Sequence, residues 1–139
     1  DVQHKLYGIE ISDNAIRSAK KMFKTFLHKG DLVIQKGAIE HIPFPDRTFD
    51  VIFTINTLYF WQSTSTALSQ IKRTLAAEGK FIITFHESEF LSSLSVSKHG
   101  FKSQNTDHMR GLLVKEGFTF EEKIYDGTYP YTILIATMK

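Results

Sequence analysis

Four stretches of this sequence carry residues whose types could do chemistry: Glu10, the run Gly37-Ala38-Ile39-Glu40, Asn56 through Trp61, and His86-Glu87. Each follows an apolar run of the kind that forms a strand. In an open parallel sheet, ligands bind beyond the carboxyl ends of the strands, and all four stretches fall there. A carboxylate such as Glu10 in that place can accept from both hydroxyls of a ribose. The same charge also suits the N-terminus of the next helix, and spacing alone leaves both readings open. His86 is a candidate general base, because an imidazole changes protonation near neutral pH. A surface histidine without a chemical role is the plainer alternative. His86-Glu87-Ser88-Glu89 is too short for a metal site and lacks a third ligand. Neither a Gly-x-Ser-x-Gly elbow nor a Ser-His-Asp order occurs.

The elements that must position these residues alternate. Residues 5–12 read as a buried strand ending in an acid. Ser12 or Asp13 can cap a helix over 13–27, with Ile16, Ala19, Phe23, Phe26 and Leu27 on its apolar side and Lys29-Gly30 as its stop. Residues 31–36 form a second strand, and 37–48 a loop with two prolines. Residues 49–55 form a third strand that is apolar on both faces, as a central parallel strand is. A polar-aromatic turn at 56–61, a helix over 64–77, a turn at Glu78-Gly79 and a fourth strand at 80–85 follow. Residues 87–104 are Ser-rich and ambiguous, a candidate lid in which Phe90, Leu91 and Phe101 would face an apolar substrate. His99 and His108 read as surface residues. A helix over 106–116 and two runs at 118–125 and 132–138 close the chain. Asp126-Gly127-Thr128-Tyr129-Pro130 between the runs is turn chemistry, so they pair antiparallel. The order predicts an α/β fold: a doubly wound, mostly parallel open sheet with helices on both faces and a C-terminal antiparallel hairpin. Residues 1–139 read as one domain.

Composition narrows the class. The chain has 139 residues, 42% of them hydrophobic and 23% charged, which fits a globular domain rather than a disordered tail or a fibre. Seventeen basic and 15 acidic side chains leave a net charge of +2, too small a field for a nucleic-acid binder. No apolar run approaches the ~18 residues of a membrane span. There is no cysteine, so no disulfide scaffold and no thiolate metal site, in keeping with a cytoplasmic protein.

Taken together, Tyr7-Gly8-Ile9-Glu10-Ile11-Ser12, Gly37 through Asp46, Thr48-Phe49-Asp50-Val51-Ile52-Phe53 and Ile71 through Phe81 resemble the class I S-adenosylmethionine-dependent methyltransferases. The most diagnostic piece is the Glu40-His41-Ile42-Pro43-Phe44-Pro45-Asp46 run with Phe49-Asp50 after it. The resemblance implies a Rossmann-like methyltransferase fold and S-adenosylmethionine as cofactor. Glu10 would hold the ribose, Ile11 would pack on the adenine, and the Ile39 backbone N–H, beside Gly37 and Ala38, would contact the adenine ring. Asn56, Tyr59, Phe60 and Trp61 would lie near the methyl group, where aromatic faces favour a cationic sulfonium. Tyr59 and Trp61 are the candidate substrate contacts, Asn56 a cofactor contact and His86 the candidate base.

Two departures from the family pattern stand out. Many relatives have an acid after the loop glycine, where this chain has Ala38, and one adenine hydrogen bond of about 0.5–1.5 kcal/mol is lost. The family also opens with a central strand and a Gly-rich turn, whereas Gly8 is the only glycine here before Gly30. Without that first β-α unit the sheet is expected to show two bare inner edges. The expectation is that residues precede Asp1. Strand exchange within a homo-oligomer is the other way to complete the sheet, and the 139 residues alone are expected to bind the cofactor poorly. The reading is methyl transfer to a small-molecule acceptor, with neither nucleic acid nor membrane as partner; Asn56-Thr57-Leu58-Tyr59 is not the Asn-Pro-Pro-Tyr type of nucleic-acid amino-methylases. One alternative is a non-catalytic remnant acting by association. Another is an NAD-dependent oxidoreductase, which the closing hairpin and the Pro-Phe-Pro-Asp loop argue against.

Overall fold

The six apolar runs become six strands. The structure, a computed structural model, describes residues 5–86, 90–91 and 106–139. They fall into two compact units, residues 1–43 and 44–139. Apart from Phe90 and Leu91, the expected lid at 87–104 lies outside the described residues.

In the first unit, β1 (Leu6–Glu10) and β2 (Leu32–Lys36) pair in parallel, with Leu6 opposite Leu32 and Glu10 opposite Lys36. The Ser12 side chain caps α1 (Asp13–Met22) by accepting from the Ala15 N–H at 3.3 Å. The single helix expected over 13–27 is instead two. The chain breaks at Phe23, and α2 (Lys24–Lys29) ends on Gly30 in the left-handed conformation, φ 76°. The break explains why the expected apolar side is not a core face. Ile16 is buried, whereas Phe23 and Phe26 are exposed. Lys20 and Lys24, like charges one helical turn apart, also disfavour a continuous helix there.

The second unit has a four-stranded sheet of order β3-β4-β6-β5, made of β3 (Phe49–Ile55), β4 (Leu75–Phe85), β5 (Phe118–Tyr125) and β6 (Tyr131–Met138). β3 and β4 are parallel. β6 runs antiparallel to both β4 and β5, so three of the four strands point the same way. The expected helix over 64–77 stops earlier, as α3 (Thr64–Thr74). The Thr74 hydroxyl donates back to the Gln70 carbonyl at 2.9 Å. The carbonyls of Arg73 and Thr74 are taken by the Arg47 and Thr48 N–H groups of the preceding loop. Both contacts draw the last turn away from helix continuation. The turn expected at Glu78-Gly79 is an irregularity inside β4. Phe49 faces Leu75 but Val51 faces Lys80, so extra residues bulge out of the ladder. Gly79 permits this, since a Cβ there would come within 2.7 Å of the Leu75 side chain.

Period-two alternation sorts this sheet into two faces. Phe81, Ile83 and Phe85 of β4 stand beside Ala136, Leu134 and Thr132 of β6 and are fully buried. Ala67, Leu68 and Ile71 of α3, and Met109 and Leu113 of α4 (Thr106–Lys115), complete this core. The opposite face carries Val51, Phe53 and Ile55, all exposed. The helices of this unit among the described residues cover one face. The six strands thus divide into a two-stranded and a four-stranded sheet.

Candidate functional site

The first group of site residues sits at the carboxyl ends of β1 and β2. The Gly37 N–H donates to the Glu10 carbonyl at 3.1 Å and continues the ladder past the last paired residues. The Glu10 carboxylate accepts the Ser12 backbone N–H at 2.8 Å on Oε1. This is the anion-at-a-helix-start geometry, and it leaves Oε2 without a partner among the described residues. Asp13 of α1 pairs with Lys36 at 2.8 Å, tying the helix start to the end of β2.

Ile11, between Glu10 and the cap, is 64% exposed, so its apolar side chain is open to a flat ligand surface. Gly37 lies under the ring of Pro43, and a Cβ there would approach Pro43 Cδ to 3.0 Å. Ala38 is extended and precedes the short 3-10 turn Ile39–His41. The first N–H groups of such a turn have no acceptor within it, so the Ile39 N–H is free to meet a ligand. Glu10, Ile11, Gly37, Ala38 and Ile39 are thus brought together. Their donors and acceptors fit an adenosine: a fixed carboxylate for a diol, an exposed apolar side chain and a backbone N–H for a ring.

The second group sits at the carboxyl ends of β3 and β4. Asn56 has a left-handed backbone, φ 55°, which asparagine tolerates better than most residues. Its N–H donates to the Thr84 carbonyl at 2.9 Å. Tyr59, in the 3-10 turn Leu58–Phe60, is 2% exposed. Its hydroxyl accepts the His86 N–H at 2.6 Å and donates to the His86 carbonyl at 3.1 Å. Trp61 is 4% exposed and its indole N–H donates to the Thr57 hydroxyl at 3.2 Å. Tyr59 and Trp61, expected to meet an acceptor, are both buried, with their polar atoms bonded within the protein. Phe60 is the aromatic of this turn that faces outward.

His86 is half-buried, and its Nδ1 lies 2.6 Å from the Pro130 carbonyl oxygen. Its ring is 5.0 Å from Phe90 and 6.4 Å from Tyr131. The sequence reading missed this aromatic surround. The spacing of Tyr125, Tyr129 and Tyr131 about the hairpin is the signal the sequence offers for it.

The loop between the two groups carries the diagnostic Pro-Phe-Pro-Asp run, and Arg73 pins its second half. Arg73 Nη1 donates to the Phe44 carbonyl at 2.9 Å and to Asp46 at 2.7 Å. Phe44 meets Phe49 edge-on at 5.2 Å. Among the described residues no three His, Asp or Glu side chains gather as a metal site.

Residues 1–83 match the family model described as a methyltransferase domain. The chain belongs to the class I S-adenosylmethionine-dependent methyltransferases. The chain is 27% identical over 80 residues to an uncharacterized chloroplastic methyltransferase of Arabidopsis thaliana, a match that covers 55% of this chain and 23% of that protein. The chain thus spans less than a quarter of the length of that relative. Its fold is similar to the PH0226 protein of Pyrococcus horikoshii, with a TM-score of 0.81 at 19% identity, covering 97% of this chain and 72% of the other. It is also similar to a methyltransferase of Thermotoga maritima described as a possible histamine N-methyltransferase. There the TM-score is 0.75 at 22% identity, over 97% and 73% of the two chains. At these identities the chain shares a fold with both, and the acceptor of either is its own. No helix among the described residues is long and apolar enough to cross a membrane.

Proposed function

We propose that this methyltransferase holds S-adenosylmethionine by the ends of β1 and β2 and serves a small-molecule acceptor at the ends of β3 and β4. The bound cofactor supplies a methyl group activated on a sulfonium, so the protein's task is alignment and exclusion of water. Glu10 accepts the ribose hydroxyls, Ile11 packs on the adenine, and Gly37, Ala38 and Ile39 present backbone to the ring. Asn56 contributes a polar contact to the cofactor from the end of β3. His86 takes the acceptor's proton on Nε2. Tyr59 acts through the His86 backbone, fixing where that nitrogen stands, and Trp61 supports the turn that carries Tyr59.

The observation that carries this reading is the state of Glu10. Glu10 is half-buried and one carboxylate oxygen is held by the Ser12 N–H, so the side chain is already fixed when the other oxygen takes a hydroxyl. Calorimetric titration with S-adenosylhomocysteine tests it. Glu10→Gln weakens binding about tenfold or more, the worth of hydrogen bonds to a charged group. Equal affinities for the two chains would overturn the ribose role.

A further inference from the structure

We propose that the aromatic rings around His86 form an acceptor subsite for a planar aromatic molecule bearing a hydroxyl group. The inference rests on the methyltransferase reading and narrows its acceptor.

It begins with the hydrogen bond at Nδ1. The Pro130 carbonyl can only accept, so in the neutral ring Nδ1 carries the proton and Nε2 keeps its lone pair. No described residue bonds to Nε2. Ring and backbone are both fixed, the first by Pro130 and the second by the paired contacts to the Tyr59 hydroxyl. A preset acceptor atom of this kind fits a ligand that brings a donor.

The surroundings are aromatic. Phe90 tilts against the imidazole at 41° and meets Tyr129 edge-on at 6.2 Å. Tyr131 meets the imidazole edge-on and stacks on Tyr125 at 4.6 Å. Tyr129 is 70% exposed and Tyr125 45% exposed, so the outer rings of this cluster are open to a ligand. A planar ring laid there covers them in the offset or edge geometry that aromatic pairs favour.

The position also suits an acceptor. Phe85 pairs with Thr132 and Tyr125 with Tyr131, which sets the hairpin turn beside the end of β4. The Asn56 N–H to Thr84 carbonyl bond brings the end of β3 to the same edge.

The test follows the His86 ring resonances by NMR in the full chain during titration with three probes: phenol, anisole, which lacks the donor, and cyclohexanol, which lacks the ring. Phenol is expected to bind about three- to tenfold tighter than either, the worth of one aromatic contact or one hydrogen bond. Tyr129→Leu, an exposed change that leaves the fold intact, should lower phenol affinity by a similar factor. His86→Asn, followed by the Tyr131 ring resonances, should abolish the preference for phenol over anisole. Equal binding of the three probes, phenol shifts away from His86, or tighter binding of tetramethylammonium than of phenol would each overturn the subsite. S-adenosylhomocysteine binding measured on the same sample separates the two readings. Its loss with the phenol preference intact overturns the cofactor site, and the reverse overturns the subsite alone.

Discussion

The two faces of the four-stranded sheet have similar apolar residues and opposite fates. On one, Phe81, Ile83, Phe85 and Leu134 are sealed under α3 and α4. On the other, Val51, Phe53 and Ile55 stand 51%, 62% and 60% exposed, beside the half-buried Ile82 and Ile135. Residue type does not tell these faces apart; only the packing of a helix does. The stability of the unit should therefore reside almost wholly on the covered face, and substitutions across the sheet can break or sharpen that contrast.

The largest effect is expected at Phe81. It is fully buried in β4 and packs 6.5 Å, ring to ring, from Phe118 of β5. Phe81→Ala should cost about 3–5 kcal/mol, as transfer and cavity losses combine. Urea unfolding followed by circular dichroism measures it. A cost below about 1 kcal/mol would mean that the covered face is not the core.

A middling effect is expected where charge fastens the covered face at its edge. Glu122 shares that face with Leu134, its partner across β5 and β6. Arg110 of α4 reaches both Glu122 oxygens at 2.6 Å and Asp107 at 2.5 Å. The hydrogen bonds to Glu122, then those to Asp107, hold the guanidinium above its ordinary pKa. A raised cation pKa stabilises the fold below the unfolded value, so this contribution is constant across the working pH range. Glu122→Gln should cost about 1–2 kcal/mol in the same assay, since the pair is only partly screened. No loss on this substitution would show that apolar packing alone seats α4.

Much of this was legible in the sequence. Strand runs, caps and stops could be placed because each has a local cause: Ser12 as a cap, Gly30 and Gly117 in left-handed stops, β-branched alternation in β6. What misled were places where distant backbone decides. The helix over 64–77 ends early because the 47–48 loop takes its carbonyls. The 13–27 helix breaks at Phe23, and its apolar stripe promised a core that the short β1-β2 pair does not provide. At the site, Glu10 could be singled out by its place after a strand, but its hold on the Ser12 N–H could not. The rings around His86 come from two stretches, Phe90 close by in sequence and Tyr125, Tyr129 and Tyr131 of the distant hairpin, which the β4-β6 register brings beside it.

The smallest expected effect is the most discriminating. Phe53 and Phe81 sit on neighbouring strands of one sheet and differ chiefly in which face they point from. Phe53→Ala should change stability by no more than about 0.5 kcal/mol, because its ring already lies in water. If it costs as much as Phe81→Ala, the open face is covered in solution, and the unfolding midpoint must then rise with protein concentration. If it costs little, the exposed ladder of Val51, Phe53 and Ile55 is a liability carried at no gain to the fold. Phe53→Ala would then leave stability unchanged while reducing self-association in sedimentation, because a flat apolar edge strand is a template for pairing.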